Sequence, residues 1–240
     1  PKKYAISKAV DAAKGDIILS TDADCRLNKL WLQSMVSSFM PEVGAVAGLV
    51  ILKPTKWIFS HFMVIDAIMN NLIIHGTLGW QFAVACKGGN FAYRKCVYDE
   101  VGGFAGLEKS LSGDDDLLLQ KISIKSSWKI RSCINKEAIV ESFAPNNMSH
   151  FLSQRKRHIS ASKYFNKNIQ LSYSIYFFSN LFMLISFLWI LFYFGIINPI
   201  MKFILFLYFF TLILLLFIEK NNIQRKYLLF YPLWEVYYLL

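Results

Sequence analysis

The chain of 240 residues has only four cysteines, Cys25, Cys86, Cys96 and Cys133, and no two are spaced Cys-x-x-Cys. That spacing argues against a zinc site, and a domain of this size does not need a disulfide framework. Buried free thiols in a reducing compartment are expected instead. Charge is missing in one place: between Lys167 and Lys202 there is no Lys, Arg, Asp or Glu. Residues 203–218, "FILFLYFFTLILLLFI", are apolar apart from Thr211. A hydrocarbon core of about 30 Å takes about 20 helical residues. Spans are therefore expected near 174–197 and 200–218, parted by Asn198 and Pro199, with Lys202 snorkelling from the second. Residues 227–240 read as a partial third span or an interfacial segment, a choice that Pro232 and Glu235 leave open. No initiator Met precedes Pro1, no signal-peptide pattern is present, and the sequence closes in an apolar stretch, so a longer parent chain is expected. There is no internal repeat and no low-complexity linker.

The hydrophobic fraction is 55% and the net charge +10, against about 45–50% apolar residues in ordinary soluble domains. The basic residues cluster. "QRKRHISASKYFNK" precedes the first expected span, and "EKNNIQRK" follows the second. The positive-inside rule then places residues 1–170 in the cytoplasm and the Asn198 turn outside. The expected layout is a catalytic domain over 1–148, a basic amphipathic interface helix over 149–170 and a membrane region over 171–240. The whole is a multi-pass protein of the cell (inner) membrane, in contact with its lipids.

Within the first part, "YAISKAVDAAK" has helical spacing ending at Gly15, and "DIILS" reads as a short buried strand followed by the polar loop "DADCRL". "NKLWLQSMVSSF" reads as a helix capped by Asn28, and "VGAVAGLVIL" as one apolar strand. The alternation implies an α/β layer with a parallel sheet, and such sheets bind ligands just past their strand ends. Residues 57–80 are too polar for a confident span and read as an amphipathic helix under the site or at the membrane surface. "ACKGGNFAYRK" is a glycine turn entering a strand, "DDDLLLQKISIKS" a helix, and "WKIRSC" and "EAIVES" are strands.

Four constellations carry chemistry, and each also has an ordinary explanation. Asp22 and Asp24 in "STDADC" could hold Mg²⁺ or Mn²⁺, hard cations that keep substrate phosphates in their shell; alternatively, Asp side chains simply bond their own turn backbone. In "KGGNFAYRK", Gly89 lets the backbone approach a ligand, and Asn90 offers both a donor and an acceptor to a sugar hydroxyl; a plain tight turn explains it equally well. In "QRKRH", Gln154 and Arg157 share a helical face, and a guanidinium matches phosphate geometry; a solvated or lipid-facing basic helix is the alternative. The run "SGDDDLLL" could supply a base, or merely acids favoured in a first helical turn, with Ser112 as cap.

Taken in order, "TDADC", "GGNFAYRK", "EVGGF", "SGDDDLLL", "QRKRH" and then apolar spans, the sequence resembles the membrane-bound glycosyltransferases of family 2. These are inverting nucleotide-sugar enzymes related to cellulose and hyaluronan synthases. The resemblance covers about residues 1–165 and lacks the family's first half, with its nucleotide-base contact. It implies the C-terminal part of a Rossmann-like GT-A domain followed by transmembrane helices. It further implies a metal on Asp22 and Asp24, a base at Asp114 or Asp115, and donor or acceptor contacts from Gln154, Arg157 and His158. The partners implied are a nucleotide-sugar donor and a lipid-linked or glycan acceptor, with no nucleic acid. His158 stands where the family has Trp, and Gly113 or Asp114 where it has Glu; the first removes a stacking face for a long sugar chain. Two readings of other classes stay open on the residues: another metal-dependent nucleotidyl- or phosphotransferase, and a non-catalytic membrane scaffold with a decayed transferase domain.

Overall fold

The computed structural model describes residues 2–192, apart from Lys109 and Leu111. The chain forms two units, residues 1–167 and 168–240. The first contains α1 (Lys2–Ala12), β1 (Ile17–Ser20), α2 (Trp31–Val36), β2 (Val43–Gly48), β3 (Val50–Lys53), α3 (Ser60–Gly79), β4 (Phe91–Arg94) and α4 (Lys95–Glu100). It continues with α5 (Asp114–Lys125), β5 (Lys129–Cys133), β6 (Val140–Phe143) and α6 (Met148–Ser162). Helix α7 (Lys167–Phe192) carries the chain into the second unit.

The α/β class is as expected, but the sheet is mixed. Its order is β1-β4-β2-β5; β4 runs antiparallel to both neighbours, while β2 and β5 are parallel. After α3 the chain comes back through the glycine turn before Phe91 and lays β4 between two strands already formed, then leaves at once into α4. The apolar run 43–52 is two strands rather than one. The chain leaves the first sheet at Leu49, and β3 pairs in parallel with β6 in a second, two-stranded sheet. The Leu49 carbonyl lies at the step and accepts from both Val140 N–H and the Asn90 amide.

A core of Trp31, Met35, Val43, Val46, Ala92 and Val140 fills one side of the first sheet. Leu117, Leu118, Leu119 and Ile122 of α5 are buried too. Each such aliphatic side chain contributes about 1.5–3 kcal/mol by leaving water. Helix α3 is long and apolar enough to cross a membrane by length and composition, but half of it is buried within the fold. It is a core helix packed on β3 and β5, with Met63, Val64, Ile65 and Ile68 inside. The expected helix over 28–39 shrinks to α2. Asn28 holds a turn ahead of it, accepting from Leu30 N–H at 2.9 Å, rather than capping the helix itself. The expected spans at 200–218 and 227–240 lie outside the described residues, as does the end of the one at 174–197.

Candidate active site

Strand β1 ends at Ser20, whose hydroxyl donates to the carbonyls of Gly88 and Phe91 at 3.1 Å each. This ties the end of the strand to the double-glycine turn 88–90. Beyond it the Asp22–Cys25 loop closes on itself through Cys25 N–H to the Asp22 carbonyl (3.0 Å), and Arg26 pairs through its backbone with Glu141 of β6. Asp22 and Asp24 are exposed, and their carboxylate oxygens and the Cys25 sulfur lie within 4.8 Å of one another. The two carboxylates are hard oxygen ligands that suit Mn²⁺ or Mg²⁺, whereas the thiol is a soft ligand that such ions leave aside. Burial raises the Cys25 pKa, so any ion that takes the thiol as a ligand must displace its proton.

The aspartate run begins α5. Gly113, at φ +69°, occupies the position before the helix, which a side chain enters only with strain. Ser112 does not cap the helix. The three carboxylates diverge. Asp114 is buried and pairs with Lys2 of α1 at 3.0 Å. Asp115 lies against Gly88, where an added Cβ would come 2.8 Å from its Oδ2. Asp116 accepts from Cys86 N–H at 2.9 Å and so anchors the glycine segment to α5. Burial raises the pKa of Asp115, with the Asp114 charge adding to it, and raises that of Asp116 further. Cys86, Asp115 and Asp116 form a second close group of possible ligands, in which the thiol is fully inside.

The glycine turn touches both acid groups. A Cβ on Gly89 would meet Asp22 Oδ2 at 3.2 Å and Cys25 Sγ at 3.0 Å, while Gly88 meets Asp115. The glycines therefore let the two carboxylate loops close on one turn. Asn90 is not available to a sugar. It has no exposed surface, its amide donates to the carbonyls of Leu49 and Ala138 at 2.8 Å each, and its oxygen accepts from Trp31 Nε1 at 3.0 Å.

Helix α6 crosses the start of α5, where a Cβ on Gly113 would come 2.7 Å from the Cβ of Ala161. Gln154 is half-buried on this helix, and Arg157 and His158 are exposed. Surrounding protein on its inner side, with the charges of Lys87, Arg157 and Arg155, lowers the His158 pKa to about 4. Arg155 is no solvated spare: it pairs with Asp66 of α3 at 2.9 Å and stacks on Phe151.

Sequence reasoning missed Lys2. Its ammonium bonds Asp114, and the charges of Asp115 and Asp22 act on it as well; together these raise its pKa against the opposing effect of burial. The doubled Lys2-Lys3 at a helix start was the available signal. It also missed Lys121, which is buried and donates to the carbonyls of Gly102, Gly103 and Ala105 at 2.7–3.1 Å, fastening the "EVGGF" loop to α5. That loop, Lys2, Lys3 and Tyr98 line a cavity of about 600 Å³. The cavity walls carry neither Asp22 nor the aspartate run, so it adjoins the acid cluster through Lys2 and is not the chemical centre.

No curated protein matches the chain. The mixed α/β sheet is consistent with a GT-A transferase domain, and the family found is 21, a relative of the family 2 that the motif order resembles. The match to "Glycosyl transferase family 21" runs over residues 1–240, and the chain belongs to that family of glycosyltransferases.

Proposed function

We propose that the chain moves a sugar, with inversion, from a nucleoside-diphosphate sugar to an acceptor held at a membrane, in polysaccharide or glycolipid biosynthesis. The observation that carries this reading is the glycine turn: Gly89 lies against Asp22 and Gly88 against Asp115, so the Asp-x-Asp turn and the aspartate run flank one turn, with Asp114 of that run paired to Lys2. Asp22 and Asp24 would hold the divalent ion there, and when bound it would offset charge on the departing diphosphate. Gln154 and Arg157 on α6 would meet donor and acceptor, Arg157 as a planar phosphate clamp. Gly89 would serve by letting the Asp22 loop close in, rather than by touching substrate.

Asp114 is the base in this reading, with Asp115 beside it. Asp114 is paired with Lys2, whereas Asp115 turns to Gly88 and Cys86. The acceptor hydroxyl gives its proton to Asp114 as its oxygen attacks the anomeric carbon. The bond from that carbon to the diphosphate oxygen breaks, and its electron pair leaves with the nucleoside diphosphate. No covalent enzyme intermediate forms. The membrane part of the reading is supported by α7, where Leu171, Ile175, Phe178, Phe182, Ile185 and Trp189 present a large apolar stripe at helical spacing. The charge-free run after Lys167 and the basic segment ahead of it support a cytoplasmic catalytic face.

A donor panel with the chain in detergent tests this. Free nucleoside diphosphate is the expected product; pyrophosphate or phosphate would point to a nucleotidyl- or phosphotransferase. Asp114→Asn should abolish transfer while donor binding persists, and Asp115→Asn should weaken transfer. Full activity in both variants would sink the base assignment.

A further inference from the structure

Trp57, Ile58 and Phe59 form an apolar tip just ahead of α3, with Ile58 73% and Phe59 51% exposed. Trp57 and Phe59 pack ring to ring at 5.6 Å, and Phe59 meets Phe62 at 6.4 Å. The base of the tip is bonded on both sides. Ser60 Oγ accepts from Thr55 N–H at 3.0 Å and donates to the Thr55 carbonyl at 3.2 Å, while Thr55 Oγ1 donates to the Pro145 carbonyl at 3.2 Å. Large apolar side chains held outward by such a base mark a surface that something covers.

The surroundings say what covers it. The sequence has no Asp or Glu from Val43 to Ile65, and none from Ser142 to Ile218. Lys56, beside the tip, is exposed. The Thr55–Pro145 bond brings the tip to the start of α6, where Met148 and Leu152 are exposed one turn apart and which carries Lys156 and Arg157. The flanking acids are neutralised, Asp66 by Arg155 and Glu141 by Lys53. Aromatic and aliphatic side chains in a basic, acid-free surround fit an anionic bilayer surface. The other end of α3 is the contrast. Trp80 is 87% exposed, but Glu42 stands with Lys129, Arg131 and Gln81 around a shallow hollow at that end. The 20 residues of α3 set the two ends about 30 Å apart.

We propose that the Trp57–Phe59 tip inserts into an anionic lipid surface, fixing the α3–α6 end of the domain at the membrane. This rests on the membrane-acceptor reading above and names the surface that meets the lipid. Insertion would put Gln154 and Arg157, on the helix beside the tip, where an acceptor arriving from the lipid enters.

The test uses the full chain in phosphatidylcholine vesicles, with and without phosphatidylglycerol, and with lipids brominated on the acyl chains. Emission from Trp57 is the difference between wild type and Trp57→Phe, and that from Trp80 the difference from Trp80→Phe. Brominated lipid should quench the Trp57 component severalfold more than the Trp80 component, and more strongly with phosphatidylglycerol present. Equal quenching of both, or none of Trp57, overturns the proposal. A blue-shifted but unquenched Trp57 means that protein covers the tip, and also overturns it. An Ile58→Ser/Phe59→Ser variant should lose the quenching and keep transfer in detergent. An active chain with unquenched Trp57 defeats the tip alone; a quenched Trp57 in a chain that transfers no sugar defeats the catalytic reading alone.

Discussion

Asn90 shows how far a side chain's type falls short of its job. Its chemistry suits a sugar hydroxyl, yet it spends every bond on Leu49, Ala138 and Trp31, three residues far apart in sequence. Only the folded arrangement decides this, so the residue reads as a ligand in one dimension and as a core strut in three. Asn90→Ala should lower stability by about 2–4 kcal/mol, because it strands buried partners, and denaturant unfolding measures that directly. His75 is a second residue that the sequence left undefined. Its Nδ1 lies 2.6 Å from the Ser132 hydroxyl, and burial, helped by the Lys87 charge, lowers its pKa to about 4. The unfolded chain takes up this proton near pH 6.5 and the folded chain does not. Stability should therefore fall as pH drops from about 6.5 to about 4, by roughly 3 kcal/mol at most for this residue. The raised pKa values of Asp115 and Asp116 act in the opposite direction at acid pH. The His75 share is thus the difference between wild type and His75→Gln, measured by unfolding across that range.

Elements with strong local patterns were legible. Helix α5 covers Asp114–Lys125 and β5 Lys129–Cys133, each within a residue or two of what the sequence implies. The placement of β4 between β1 and β2 was not, because strand order depends on long-range pairing that apolar runs do not encode. The step at Leu49 was hidden for the same reason, since both halves of the run are equally apolar. The contact between α5 and α6 is testable at Gly113. Alanine there meets both a positive φ and the Ala161 side chain, and should destabilise the domain by about 1–3 kcal/mol, read as a lower melting temperature. Lys121→Met removes all three bonds to the Gly102–Ala105 carbonyls. The loop should then be cut faster in limited proteolysis, while α5 stays protected.

For the molecule as a whole, the order of short motifs was the readable part, since each is local and its chemistry lies in its letters. Their meeting point was not, because it depends on Lys2 and on a glycine turn with no distinguishing side chain. Removing divalent ions with a chelator should stop transfer, and adding Mn²⁺ or Mg²⁺ should restore it; transfer that persists after exhaustive chelation would count against Asp22 and Asp24 as ligands. The turn itself has a quantitative consequence. With Asp22 against Gly89 and Asp115 against Gly88, the two acid groups are jaws of a calliper whose bar is one peptide thick. Thickening the bar at one notch should displace one jaw and spare the other. Gly89→Ala should raise the ion concentration needed for half-maximal rate, and Gly88→Ala should lower the maximal rate at saturating ion. Titrating each variant with Mn²⁺ would give separate measures of the two sides of the turn.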